Sequence, residues 1–174
     1  MVTQSIYKSP AGERVVMDLY DQALARWPVP YEEHTIPTRH GDTYVISSGE
    51  PDAPAMVLLH GAGTNSAIWS GDVAVYSQHF HVYAIDLLGE AGRSAQNRPD
   101  WHSPAYAEWL ADVFDTLQID QAVLLGISQG GWTALKFATY QPERVSQLVL
   151  LCPGGVMTTR SSFLFKAIPL SFMG

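Results

Sequence analysis

Ser128 sits in the pattern Gly126-Ile127-Ser128-Gln129-Gly130, a G-x-S-x-G. The apolar run Ala122-Val123-Leu124-Leu125 precedes it and a helical pattern over 130–140 follows it. A serine on such a sharp strand-to-helix turn stands in a strained conformation with its hydroxyl exposed above a sheet. It also lies at a helix N-terminus, where the dipole and the free N–H groups favour developing negative charge. That is the placement of a nucleophile that attacks a carbonyl and forms a covalent acyl intermediate. Gly126 and Gly130 fit the same turn, because backbones there approach too closely for a Cβ.

A second group, His60-Gly61-Ala62-Gly63, follows the apolar run Met56-Val57-Leu58-Leu59. Alone it would be only a glycine-rich strand-to-helix turn. Placed one strand earlier in the chain than the serine turn, it has a chemical role. The backbone N–H groups of Ala62 and Gln129 are expected to converge on one oxyanion. Loss of one such donor typically costs about 10²–10³ in rate. His60 and Gly61 read as structural residues that order this loop, and His60 is not expected to be a base.

These residues need elements to hold them. Ser9-Pro10 followed by Glu13 reads as a helix start, and Val15, Val16, Leu19, Leu24 and Trp27 recur at helical spacing up to the stop at Pro28 and Pro30. Residues 32–38 and 43–48 alternate as two strands, with His40-Gly41-Asp42 as the hairpin turn. Four short apolar runs follow, at 56–59, 82–85, 122–125 and 148–151. Runs that are apolar on both faces suit strands of a parallel sheet buried between helix layers. Between them, 66–78, 103–117 and 130–140 read as helices, so the class is α/β with a mostly parallel sheet. In such a sheet ligands bind beyond the carboxyl ends of the strands, where both groups above fall.

Composition bounds the function. The 174 residues predict one domain, 47% apolar and 16% charged, as in a soluble globular protein. Ten Lys and Arg against seventeen Asp and Glu leave a net charge of −7, which argues against a nucleic-acid binder. All seventeen acids lie in 1–143, so that part carries −10 and residues 144–174 carry +3. The single cysteine, Cys152, excludes an internal disulfide and a cysteine-based zinc site. Gly89-Glu90-Ala91-Gly92 is not a dinucleotide fingerprint, and there is no P-loop or metal-ligand cluster, so neither cofactor nor metal is expected. The N-terminus has no signal-peptide core and no run is long enough to span a membrane, so the expectation is a cytoplasmic protein with no membrane or nucleic-acid partner.

At this point the chain resembles the N-terminal part of an α/β-hydrolase fold protein. The branch is that of carboxylesterases, C–C bond hydrolases and non-haem haloperoxidases. The residues that carry the likeness are VLLHGAG (57–63), Trp69, AIDLLGEAGRS (84–94), VLLGISQGG (123–131), YQPERV (140–145) and LVLLCP (148–153). The family's usual D-x-x-G-x-G-x-S loop has one extra residue here, in GEAGRS. The resemblance implies that Asp86 is a structural residue at a strand end. It implies a Ser128 nucleophile acting on an ester-like small molecule.

The family's triad runs in chain order serine, acid, histidine. After Ser128 the only acid is Glu143 and there is no histidine. His34, His40, His79 and His81 belong to the hairpin or to the far end of a strand, and His102 reads as a cap or surface residue. The acid and histidine are therefore expected beyond the 174 residues or on a second chain. The implied organisation is a helical extension over 1–31, the core over 32–155 and the opening of a cap segment over 156–174. Two other functions remain open: a non-catalytic binding module of the same fold, and a cofactor-free haloperoxidase or acyltransferase.

Overall fold

The computed structural model describes residues 5–156. The Ser9 hydroxyl accepts the Gly12 N–H at 3.1 Å and opens α1 (Pro10–Leu24). The helix ends before Trp27, the last residue of its apolar pattern. Trp27 is buried all the same, with its indole N–H donating to Ser48 Oγ at 3.1 Å. A residue before proline is pushed out of the helical region, and Pro28 supplies that push.

Strands β1 (Tyr31–Ile36) and β2 (Thr43–Ser48) pair antiparallel. Their connection is longer than the expected three-residue turn. Its tight part closes over residues 38–41, where the Gly41 N–H meets the Thr38 carbonyl at 3.1 Å and the Thr38 hydroxyl donates to the Gly41 carbonyl at 2.6 Å. The chain continues through β3 (Ala55–Leu59), α2 (Val73–Tyr76), β4 (His81–Ile85), α3 (Ala105–Thr116), β5 (Ala122–Ile127), α4 (Gln129–Tyr140) and β6 (Val145–Leu151).

The helix expected over 66–78 is a correction. It is a 3-10 helix, Ser66–Gly71, followed by the single turn of α2. Gly71 sits at the break, where a helix interior would lose about 1 kcal/mol relative to alanine. A 3-10 turn eclipses residues three apart, and that lets Ser66 and Trp69 both face inward, each buried.

The sheet order is β1-β2-β4-β3-β5-β6. β2 runs antiparallel to its neighbours β1 and β4, and the pairs β3–β4, β3–β5 and β5–β6 are parallel. From β3 the chain goes first to β4 on one side and then to β5 on the other. The order reverses there, and the crevice beyond the carboxyl ends of β3 and β5 is the place where open sheets bind ligands.

The apolar runs feed two cores. Val57, Leu59, Tyr83, Ile85 and Leu124 pack with Tyr106, Trp109, Phe114 and Phe137 of α3 and α4. Met56, Leu58, Val82, Ala84, Val123 and Leu125 alternate with them and pack with Tyr20, Leu24, Trp69 and Val73 on the other face. The period of two explains why each run is apolar throughout. β6 departs from the expectation of burial on both faces. Leu148 and Leu150 pack toward α3 and α4, whereas Val149 is 37% and Leu151 43% exposed. Among the described residues no helix packs over that second face of β6.

Candidate active site

Ser128 joins β5 to α4 with φ +52°, one of three non-glycine residues in the left-handed region among those described. The conformation is held from both sides. Its N–H donates to the Leu151 carbonyl at 2.9 Å, and its carbonyl accepts from Gly154 at 2.9 Å and from Trp132 at 3.1 Å. A Cβ on Gly126 would lie 2.4 Å from the Gly130 carbonyl oxygen, and one on Gly130 would lie 2.1 Å from that of Leu59. Any side chain at either position would push the turn open. The close approach at Gly130 also sets the end of β3 directly against the start of α4.

The 60–64 loop leaves β3 beside this turn. A Cβ built on Gly61 would stand 3.5 Å from the Ser128 Cβ, so the two segments are neighbours. His60 is fully buried, and the Leu87 N–H donates to its Nε2 at 2.9 Å. Nε2 is therefore the acceptor, and the proton sits on Nδ1, which donates to the Gly61 carbonyl at 2.8 Å. Burial pushes the imidazole below its ordinary value, outweighing the opposite pull of the Asp86 and Glu90 charges. With both nitrogens engaged by backbone, His60 has no free lone pair to take a proton from Ser128. Among the described residues, neither the Ala62 N–H nor the Gln129 N–H is paired with an acceptor.

Asp86, at the end of β4, is fully buried and knots three segments together. Its Oδ1 accepts from Tyr20 Oη at 3.0 Å, the Ser66 N–H at 2.8 Å and Ser66 Oγ at 2.7 Å. Its Oδ2 accepts the Arg93 N–H at 2.8 Å. The burial and charge around Tyr20 hold its hydroxyl far above the ordinary tyrosine range, so it stays a donor.

A pocket of about 390 Å³ opens at Ser128, lined also by Trp101, His102, Gln129, Trp132, Gly154 and Gly155. Its walls are indole rings and glycine backbone. The rings of Trp101 and Trp132 lie 4.5 Å apart, edge to face, and Trp101 stacks on Tyr106 at 4.9 Å. His102, expected at the surface, is exposed and on the pocket rim. Other histidines are engaged elsewhere: His34 with Ser47 at 2.8 Å and His40 with Glu108 at 2.9 Å. His81 stands at the opposite end of β4 from Asp86, and Glu143 lies in the turn that leads into β6, opposite Ser128. Among the described residues no three His, Cys, Asp or Glu side chains group to hold a metal ion. Among the same residues no helix is long and apolar enough to cross a membrane.

The sequence pattern described as alpha/beta hydrolase fold matches residues 54–170. The chain belongs to the α/β-hydrolase family. Carboxylesterase YbfK of Bacillus subtilis is 40% identical over 134 residues, which are 77% of this chain and 45% of that protein. The crystal structure of that carboxylesterase superposes with a TM-score of 0.82 at 35% identity, over 90% of this chain and 55% of the other. The naproxen esterase of the same organism gives 0.82 at 36% identity, over 94% and 57%. The chain spans about half the length of the curated relatives it matches.

Three residues at this site escape a reading of the sequence. Glu90 and Thr64 hold the 60–64 loop, and Lys136 holds the loop that carries Trp101 and His102. Glu90 had a signal, since it lies in the α/β-hydrolase loop that is one residue longer than the family's pattern. Thr64 and Lys136 had none.

Proposed function

We propose that the chain is the nucleophile-bearing part of a carboxylesterase acting on a small-molecule carboxylic ester. Ser128 is the nucleophile. The N–H groups of Ala62 and Gln129 form the oxyanion hole, with His60, Gly61, Gly126 and Gly130 shaping it. The observation that carries this reading is the strained backbone of Ser128, braced on both sides, with two N–H groups on the segments that meet there that have no acceptor among the described residues. A site with no use for this serine would not need that strain.

Ser128 Oγ attacks the ester carbonyl, and its proton passes to a base as the carbonyl oxygen becomes an oxyanion. Collapse of the tetrahedral intermediate expels the alcohol, which takes the proton back. Water then attacks the acyl-enzyme by the same route and releases the acid. No histidine follows Ser128 in the 174 residues; His34, His40 and His60 are engaged elsewhere, His79 and His81 lie at the far end of β4, and His102 is on the rim, so the base and its orienting acid come from outside them. They arrive as further sequence of the same polypeptide or as a second chain. The reaction as proposed uses neither cofactor nor metal.

The test is covalent labelling with a fluorophosphonate, together with turnover of p-nitrophenyl acetate, with and without the segment that supplies the base. Ser128 is labelled fast only with that segment present, and Ser128→Ala abolishes labelling and turnover. Fast labelling of the 174 residues alone would place a base within them. Turnover that survives Ser128→Ala would end the reading.

A further inference from the structure

Two consecutive peptide groups meet at the Ala62 Cα, and each is held by a side chain that a stable core does not need. The first is the peptide joining Gly61 to Ala62. Its carbonyl accepts from His60 Nδ1 at 2.8 Å and from Thr64 Oγ1 at 2.7 Å. The peptide is trans, so its N–H points opposite to its C=O. The donors that fix the Gly61 carbonyl therefore fix the direction of the Ala62 N–H. They also polarise the peptide and make that N–H a better donor.

The second peptide, joining Ala62 to Gly63, is held from its other side. The Gly63 N–H donates to Glu90 Oε2 at 2.7 Å. Glu90 is only 4% exposed, and its Oε1 lies 3.7 Å from Arg98 Nη2. Arg98 is itself anchored through Nε to the Gly89 carbonyl at 2.9 Å. Asn65 laces the same two loops together, donating to the Ala91 carbonyl at 2.8 Å. A buried carboxylate is costly, and its pairing with the largely exposed Arg98 guanidinium adds little stability. Its placement on the amide next to Ala62 is thus the informative feature. Arg98 has a matching use, because an uncompensated carboxylate near a forming oxyanion would oppose it.

We propose that Glu90 and Thr64 are positioning residues for the Ala62 N–H, Thr64 clamping the peptide that carries it and Glu90 the next one, so that the donor is aimed before the oxyanion forms. The inference rests on the esterase reading above. Neither side chain touches substrate: Thr64 acts through the Gly61 carbonyl and Glu90 through the Gly63 amide.

The experiment uses Glu90→Leu, Glu90→Gln and Thr64→Val in the polypeptide in which Ser128 is active. It measures kcat and KM for p-nitrophenyl acetate per fluorophosphonate-titrated site, and amide exchange at Gly63. Glu90→Leu lowers kcat about 10- to 100-fold with KM nearly unchanged, because a misaimed donor is felt chiefly in the transition state. The Gly63 amide exchanges faster in that variant. Glu90→Gln recovers part of kcat, since its carbonyl oxygen still accepts from Gly63. Thr64→Val lowers kcat in the same direction with the fold intact. An unchanged kcat in Glu90→Leu, a rise in KM alone, or unaltered Gly63 exchange would overturn the proposal. If Glu90→Leu fails to fold, an unchanged kcat in Thr64→Val overturns it instead. Absence of any Ser128-dependent turnover in the parent protein is a different failure, that of the esterase reading itself.

Discussion

His60 shows how one buried side chain makes a loop depend on pH. It accepts from the Leu87 N–H and donates to the Gly61 carbonyl, so a second proton would have to displace a backbone donor. Burial keeps its folded value below the ordinary one. In the unfolded chain the same ring binds a proton below about pH 6.5. The unfolded state then holds more protons than the folded state, and stability falls as pH drops below that point toward the folded value. The slope contributed by His60 is up to about 1.4 kcal/mol per pH unit. Urea unfolding between pH 7.5 and 5.5 should show this fall in the parent chain and a flatter one in His60→Gln. Parallel profiles would mean that His60 protonates in the folded protein as easily as in the unfolded one.

At the scale of elements, α4 does two jobs. Its N-terminus carries Ser128 and its second half holds the wall of the pocket. Lys136 Nζ donates to the Trp101 carbonyl at 2.7 Å and to the Ser103 carbonyl at 2.6 Å. The same ammonium stands 4.7 Å from the Trp132 ring centre. One cation thus pins the 101–103 loop to the helix behind it and fixes the two indoles that face Ser128. Lys136→Met keeps most of the side chain's bulk and removes both charge-assisted bonds. With the group partly solvated, the expected loss is about 1–2 kcal/mol in urea unfolding, with faster amide exchange over 101–104. Equal stability and equal exchange would show that the loop is held by its aromatic contacts alone.

For the whole molecule the weak line is β6. Among the described residues it is an outer strand of the sheet, contains no charged residue, and leaves Val149 and Leu151 open on one face. An uncharged apolar edge with unpaired backbone groups invites pairing with another chain. The 174-residue chain should therefore self-associate with rising concentration in sedimentation velocity. Val149→Lys places a charge on the open face and should shift the population toward monomer. A parent chain that stays monomeric, with strongly protected amides over 148–151, would show that the edge is already covered.

What could be read from the sequence was local or periodic. The serine turn is legible because its constraints act within five residues: no Cβ fits at Gly126 or Gly130, and a strand must stop where a helix starts. The strands over 56–59, 82–85 and 122–125 are legible because burial on both faces leaves no polar position. The same rule misleads at 148–151, where the apolar pattern is present and the covering layer is not, among the described residues. The helix expected over 66–78 fails for a related reason. Its apolar spacing is real, but Asp86 binds Ser66 from twenty residues away and favours a tighter turn. The pairing of Glu90 with Gly63 and of Lys136 with Trp101 joins residues 27 and 35 positions apart. Such contacts depend on how loops meet once the sheet is assembled, and no spacing along the chain encodes them. The serine turn and the apolar strands follow from spacing along the chain, whereas the hydrogen bonds that hold the 60–64 and 101–103 loops follow from partners that only folding brings together.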